Sequence, residues 1–455
     1  MGAAQELSFE SWPYANHKEQ GDQFERLMCW WLRTDPASQV EYGFTRVVRW
    51  DDWEDRPGPD VGIDLVAWDR HGRFWTIQCK AYAADNAPDL DDVARFISAP
   101  TGDEEVFGRL FITTSKDLTK HALDRCVEHG VVVVTRDVLA ASTVAWPSSE
   151  AELVQTLNGG KPASRPVPKS LRPYQVAAVD AVVAGLAEND RGKLIMACGV
   201  GKTVTAQRAQ EAFVAQNDRA SLVLVLVPSI SLLAQTLRGW AADRVDDFES
   251  LAVCSDETVT QSDTTDYADM KAVDAGFPVT TSVGDIAEFL KRPSQITKVV
   301  FCTYRSSDRV REAAIAAGVK FDLAICDEAH RLAGAIDKAD SAVLTKAFPA
   351  SKRLFMTATP RVVTSAAKTK ATDNGFEVVS MDDETLFGPE LFSFSFGEAI
   401  AGGWLSDFKI VVSFTTDAEA KAMIDAGTFV DVEGVRTAEE LAKALITVKA
   451  AKDHG

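Results

Sequence analysis

The chain has 455 residues, 46% hydrophobic and 25% charged, an ordinary globular composition with room for about three domains that each bury a core. No apolar run reaches the length of a membrane span, and Met1 is followed by Gly-Ala-Ala-Gln-Glu rather than a basic and then apolar leader, so a membrane role is excluded and a cytoplasmic location expected. A formal charge of −19 argues against broad polyanion binding but leaves room for a narrow basic channel on an acidic body, because net charge governs solubility more than any one site. The seven cysteines (29, 79, 126, 198, 254, 302, 326) contain no Cys-x-x-Cys pair and fall mostly in apolar runs. Buried reduced thiols are expected, with neither zinc nor disulfides.

Residues 1–145 open with a helical pattern from His17 to Arg33, in which Phe24, Leu27, Met28 and Trp31 recur at helical spacing and Glu25 lies on the other flank. A strand-like run, Gly43 to Trp50, precedes an acidic loop, Asp51 to Pro59. Two apolar runs, Asp60 to Trp68 and Arg73 to Lys80, joined by a turn at Asp69 to Gly72, read as a β-hairpin. Gln78 and Lys80, two apart, leave one face of the second strand, and Asp64 on the first strand can meet them. Such a cluster can hold Mg²⁺ and orient water against a phosphodiester: Asp64 binds metal, and Lys80 stabilises the attacking water or the pentacovalent phosphate. Further strands at Val106 to Thr113 and Val131 to Thr135, with a helical stretch Lys116 to Glu128 between them, give an α/β layout.

These residues resemble the PD-(D/E)xK nuclease signature in its Mrr-like form, where Gln replaces the second carboxylate. The resemblance implies catalytic Asp64, Gln78 and Lys80, with Glu25 as a further candidate, and a metal held by Asp64 and Gln78. Neutral Gln is the poorer ligand, so affinity would lean on Glu25 and the Cys79 carbonyl. Mg²⁺ is the expected ion, with Mn²⁺ as an alternative. The segment Phe111-Ile-Thr-Thr-Ser-Lys is similar to a later strand and turn of that fold.

Residues 146–170 carry Pro147, Pro162, Pro166 and Pro168 among Ser and Gly and read as an interdomain linker. Leu171-Arg172-Pro173-Tyr174-Gln175 then opens a helix, with proline where a first turn tolerates it. An apolar run, Lys193 to Met196, leads into Ala197-Cys198-Gly199-Val200-Gly201-Lys202-Thr203 and a following helix, the strand–loop–helix context of a phosphate-binding loop. Gly199 and Gly201 let backbone N–H groups turn around a triphosphate, Lys202 reaches the β and γ phosphates, and Thr203 ligates Mg²⁺. Met196 stands where the common pattern has its first glycine.

Strands at Leu222 to Val227, Val299 to Thr303, Phe321 to Cys326 and Arg353 to Met356 follow, with a Ser/Thr/Asp-rich surface insertion, Ser255 to Ser282. The third delivers Asp327-Glu328-Ala329-His330 at its C-terminal end, where parallel sheets keep their ligands. Asp327 would hold Mg²⁺ through water, and Glu328 would orient or deprotonate the attacking water.

The phosphate loop, this acidic quartet and Thr357-Ala358-Thr359-Pro360 in this order resemble the first RecA-like domain of superfamily 2 helicases. The resemblance implies ATP as cofactor, with Gln175 reading adenine beside Arg172, and His330, Thr357 and Thr359 coupling hydrolysis to DNA movement. It implies double-stranded DNA as partner, touched by Pro228 and Ser229 after one strand and by Thr303, Tyr304 and Arg305 after another. The expected fold is therefore α/β: a PD-(D/E)xK restriction-endonuclease-like domain (1–145), then a RecA-like P-loop domain with a mainly parallel sheet (171–405). After Thr359 come only short runs, Phe376 to Val379, near Phe392 to Phe396 and Phe408 to Phe414, and a helical tail from Ala438 to Lys452. Residues 406–455 thus read as the start of a truncated second RecA-like domain, the domain that supplies arginine fingers, so ATP hydrolysis is expected to be poor.

An Mrr-like nuclease leading directly into a DEAH translocase resembles the start of the single-chain type ISP restriction–modification enzymes, in which a methyltransferase and a target-recognition domain follow. Type I restriction motor subunits share the order but usually carry Glu at the position of Gln78. A defence helicase–nuclease without methylation, and a DNA-binding module with a decayed nuclease centre, are the other readings.

Overall fold

The structure, a computed structural model, describes residues 8–58, 62–158, 167–217, 219–255, 275–335, 342–364 and 378–407. Asp60, most of the expected insertion 255–282, the expected strand 408–414 and the tail 438–452 lie outside the described residues. The described residues up to Glu398 form one compact unit, and a second begins at Ala399.

The first half builds a five-stranded sheet in the order β1 (Phe44–Arg49), β2 (Leu65–Asp69), β3 (Phe74–Lys80), β4 (Val106–Thr113), β5 (Val131–Val134). The β1–β2 and β2–β3 pairs are antiparallel, and β3–β4 and β4–β5 parallel. Strict alternation along β3 separates two cores. Trp75, Ile77 and Cys79 pack with Phe24, Leu27, Met28 and Trp31 of helix α1 (His17–Thr34). On the opposite face Phe74 packs with Val93 and Phe96 of α3 (Leu90–Ser98) and Ala122 and Cys126 of α4 (Lys120–Glu128). Gln78 and Lys80 share the parity of Phe74 and so belong to the α3 face. A short α2 (Pro36–Glu41) follows α1, and α5 (Arg136–Ala140) follows β5. Asp64 lies just before β2 rather than within it, with its N–H donating to Ile77 O at 3.0 Å.

The stretch expected as linker starts as structure. α6 (Glu150–Leu157) is capped by Ser149, whose hydroxyl accepts from Glu152 N. Leu153 is fully buried in the α1 core, and Glu150 binds Arg26 and the Gln23 amide. The Ser-x-x-Glu spacing that caps this helix was masked by the prolines around it.

The second half is an eight-stranded parallel sheet. Its strands are β6 (Arg191–Met196), β7 (Leu222–Val227), β8 (Phe248–Val253), β9 (Val279–Thr280), β10 (Thr297–Thr303), β11 (Phe321–Cys326), β13 (Ala350–Thr357) and β15 (Glu390–Phe394). Across the sheet they run β15-β6-β13-β11-β7-β10-β8-β9. The short β12 (Gly334–Ala335) and β14 (Val378–Val379) pair antiparallel outside it. Helices α7 (Pro173–Glu188), α8 (Lys202–Val214), α9 (Ile230–Asp243), α10 (Val283–Lys291) and α11 (Ser307–Ala317) connect the strands. The central strands are almost continuously buried, as strands covered on both faces must be.

The two halves touch through α2, which rests on α9 and β8. Arg244, just past α9, donates to Pro36 O (3.3 Å) and Gln39 Oε1 (3.1 Å), Ser250 Oγ to Val40 O (3.2 Å), and the Tyr42 hydroxyl to Gly276 O (2.6 Å). Among the described residues no helix is long and apolar enough to cross a membrane.

Candidate active sites

The phosphate loop leaves β6 and enters α8 with Gly199 at φ +83° and Gly201 at φ +85°, a left-handed backbone that glycine adopts without strain. A Cβ at Gly201 would also stand 2.7 Å from Gln175 Nε2. Met196, at the place of the usual first glycine, is the fully buried last residue of β6. That position is strand rather than turn, so a large apolar side chain fits. Cys198 corrects the expectation of buried thiols. It is exposed while the other six are buried, and its sulfur lies 4.0 Å from Lys202 Nζ.

Parallel topology carries the ends of β6, β11 and β13 to one edge, and there the expected residues meet. Lys202 Nζ is 3.5 Å from Glu328 Oε1, and His330 Nδ1 is 3.3 Å from Glu328 Oε2 and 2.9 Å from Thr357 Oγ1. The Thr357 hydroxyl also accepts from Thr359 N at 3.1 Å, and Asp327 Oδ1 accepts from Glu328 N at 2.9 Å. Glu328 has φ +48°, the one positive value outside glycine among the described residues. Such a backbone costs about 1–2 kcal/mol and is retained where a site fixes it.

The two acids titrate apart. Burial, then the Glu328 charge, pushes the Asp327 carboxyl up to about 6. The His330 hydrogen bond, then Lys202, holds Glu328 below its ordinary value despite burial. Thr203 is half-buried, and its hydroxyl has no partner among the described residues. Thr203 and Asp327 together offer the hard oxygens that Mg²⁺ takes alongside phosphates.

Two expectations around this centre change. Gln175 is buried and both ends of its amide are engaged: Oε1 accepts from Arg172 N (2.9 Å) and Nε2 donates to Val200 O (3.2 Å) and Gly201 O (3.4 Å). It braces the loop from below instead of presenting a free edge to adenine. Tyr174, beside it, donates to Val200 O, accepts from Arg172 Nη1 and stacks on Phe394 at 4.3 Å. Of the expected DNA contacts, Thr303 ends a central strand, Tyr304 opens the turn after it, and both are buried. The Thr303 hydroxyl donates to Ser306 Oγ and the Tyr304 hydroxyl to Asp327 O at 2.7 Å, so only Arg305 of that trio is exposed. Ser229 caps α9, accepting from Leu232 N at 3.3 Å, and Pro228 beside it is half-buried.

In the first half, Asp64 and Gln78 meet directly. Asp64 Oδ2 accepts from Gln78 Nε2 and from Cys79 N at 2.6 Å. Burial, then the charges of Asp64 and Glu25, drives the Cys79 thiol well above its ordinary range. Lys80 behaves differently: its Nζ pairs with Asp92 Oδ1 of α3 at 3.5 Å. Asp92 was not among the sequence candidates, although the Asp89-x-x-Asp92 capping pattern in front of Val93 signalled its helix. Among the described residues no three His, Cys, Asp or Glu side chains gather as a metal cage. A divalent ion here would rely on Asp64 together with neutral oxygens, the Gln78 amide and the Cys79 carbonyl, which suits a hard cation.

Residues 33–155 match the family model described as "Restriction endonuclease", and residues 168–362 the one described as "Type III restriction enzyme, res subunit". A protein of African swine fever virus (isolate Tick/Malawi/Lil 20-1/1983) named "Probable helicase A859L" is 30% identical over 241 residues, 52% of this chain and 24% of the viral protein. The solved structure "ATP-dependent Type ISP restriction-modification enzyme LlaBIII bound to DNA" is similar with a TM-score of 0.70 and 32% identity, over 89% of this chain and 26% of that one. A nuclease-deletion mutant of the type ISP enzyme LlaGI, in complex with a DNA substrate mimic, matches at TM-score 0.41 and 35% identity, over 57% of this chain and 22% of that one. This chain thus spans about a quarter of the length of these relatives. It joins a restriction-nuclease domain to a helicase domain, in the α/β fold and order of the type ISP enzymes.

Proposed function

We propose that this chain is the nuclease and motor part of an ATP-dependent restriction enzyme of the single-chain type ISP kind: it binds ATP and holds a metal-dependent nuclease centre, and the whole enzyme would hydrolyse ATP to move along double-stranded DNA and cleave it. The observation that carries the reading is the continuous contact chain Lys202–Glu328–His330–Thr357 across three strand ends. A phosphate-binding lysine, a carboxylate kept ionised beside it and a hydroxyl on the next strand are the parts a translocating ATPase needs.

Lys202 would bind the β and γ phosphates, giving up Glu328 as it does so. Glu328, held ionised by His330, can then take a proton from the water it orients. His330 and Thr357 would pass the change at Glu328 to the strand end at Thr359, whose N–H rests on Thr357. Ser229 at the start of α9 and exposed Arg305 are the proposed contacts to the DNA backbone. In the nuclease, Asp64 and Gln78 would hold Mg²⁺, and the Lys80 ammonium would stabilise charge on the phosphate under attack. The ions, when bound, neutralise phosphate charge at the motor and lower the pKa of water at the nuclease. Glu25 of α1 would add negative charge that Gln78 does not supply.

The test incubates the protein with supercoiled plasmid and Mg²⁺ or Mn²⁺, with and without ATP, beside Lys80→Ala and Lys202→Ala, and follows nicking and phosphate release together. Nicking lost only in Lys80→Ala and phosphate release lost only in Lys202→Ala is the expected pattern. Both activities falling together in either folded variant would contradict two separate centres. Phosphate release without nicking under either metal would leave the first domain as a DNA-binding module.

A further inference from the structure

We propose that Asp92 is a positioning residue of the nuclease centre: from the first turn of α3 it holds the Lys80 ammonium and supplies the negative charge that a carboxylate at position 78 would bring. The inference deepens the nuclease reading and rests on it.

The reasoning starts from charge. Gln78 and Lys80 project from one face of β3 with about 7 Å of strand between them. With a neutral amide at 78, Asp64 is the acid of that strand pair, and its Oδ2 is already committed to Cys79 N and Gln78 Nε2. Lys80 instead turns to α3, where Asp92 Oδ1 lies 3.5 Å from Nζ. The Asp92 side chain is 11% exposed and that of Lys80 26%, so the pair is shielded enough for the interaction to exceed that of an ordinary surface pair.

Asp92 is held in place by groups that do not depend on Lys80. Its backbone N–H donates to the N-cap Asp89 Oδ1 at 3.1 Å, and Oδ2 accepts from Asp89 N at 3.4 Å and from the Tyr82 hydroxyl at 3.0 Å. Tyr82 is fastened in turn, because Thr114 Oγ1 accepts from Tyr82 N (2.8 Å) and donates to Tyr82 O (2.6 Å). The Thr-Thr-Ser turn after β4, which no catalytic role accounts for, is therefore the clamp behind the brace. Burial, then the Asp92 charge, pushes the Tyr82 hydroxyl up to about 12, so it stays a donor to the carboxylate.

Helix capping alone does not explain Asp92. Glu or Gln is the usual residue at that place in a capping box, because it reaches back to the cap. The shorter Asp reaches only to 3.4 Å with one oxygen and directs the other at Lys80. The expected consequence is electrostatic as well as geometric. An unbalanced ammonium beside Asp64 and Gln78 would repel a divalent cation, and Asp92 offsets it. Residues that orient a metal site from outside its ligands commonly carry about 10–100-fold in affinity or activity.

The experiment uses the full chain and its Asp92→Asn, Asp92→Glu and Tyr82→Phe variants, with Asp64→Ala as the reference for a lost ligand. Free Mn²⁺ is followed by electron paramagnetic resonance during titration, and nicking rate is measured against metal concentration. Asp92→Asn is expected to weaken Mn²⁺ binding about tenfold and to lower the saturating nicking rate by about 10–100-fold. Asp92→Glu should recover most of both, and Tyr82→Phe should fall between. Asp92→Asn matching the parent in metal midpoint and saturating rate would overturn the proposal. So would equal losses in the Asn and Glu variants with an unmoved metal midpoint, which is what damage to the cap alone produces. A parent protein that does not nick, and whose Mn²⁺ binding is indifferent to Asp64→Ala, would instead remove the nuclease reading beneath it.

Discussion

Asp327→Asn should make the nucleotide-free protein more stable at neutral pH while destroying its ATPase. The Asp327 carboxyl is pushed from an ordinary 3.8 up to about 6. For an acid raised on folding, the native state favours the protonated form. Below about pH 4 both native and unfolded chains carry the proton and the group is neutral to stability. Above about pH 6 both are ionised, and the native state bears the full cost of a carboxylate crowded by burial and Glu328. The difference corresponds to at most about 3 kcal/mol; Asp327 is only half-buried, so about 1–2 kcal/mol is expected to survive solvent screening. Asn keeps the oxygen that accepts from Glu328 N, so that hydrogen bond is not lost with the charge. In metal-free buffer at pH 7.5 the variant should melt about 1–3 °C above the parent, and the gap should close steadily as pH falls from about 6 towards 4. A variant less stable than the parent at pH 7.5, or a gain that does not change with pH, would refute the assignment of strain to this carboxylate.

Lys202→Ala removes the cation facing Glu328 and should lower affinity for a fluorescent ATP analogue by at least about 100-fold, with plasmid nicking retained. Thr357→Val keeps the shape but deletes the hydroxyl shared by His330 Nδ1 and Thr359 N. Nucleotide binding should survive while DNA-stimulated turnover falls about tenfold, and stimulation equal to the parent's would remove Thr357 from the coupling path. Arg244→Ala cuts bonds from a buried guanidinium to Pro36 O, Gln39, Ala241 O and Asp247. It should cost about 2–4 kcal/mol, read as a lower melting temperature in calorimetry.

The motor was the more legible half because buried parallel strands are uninterrupted apolar runs. Leu222–Val227 and Phe321–Cys326 have the ends that the sequence suggests, and the acid pair follows the second directly. The helices of the first domain were harder. In α3 only Val93 and Phe96 are fully turned inward, too few for periodicity to stand out, and α6 lay inside a proline-marked stretch. Side-chain direction was the least accessible property. Tyr304 and Gln175 follow motif positions that suggest open contacts, yet both are buried and spent on backbone oxygens of the catalytic loops. Asp92 could not be found by spacing, because a loop pinned by Thr114 is what folds α3 back over Lys80.

Two of the chain's acids lie where the halves are joined. Burial pushes the interface carboxyl Glu41 up to about 8 against the pull of Arg238, and Asp35 is also raised by burial. Both acids line a cleft with Arg238 of α9. The same helix α9 begins at Ser229, at the sheet edge that carries the ATPase centre, and ends where Arg244 grips α2 of the nuclease domain. At 14 residues it is about 21 Å long, one rigid element between the proposed DNA contact and the nuclease.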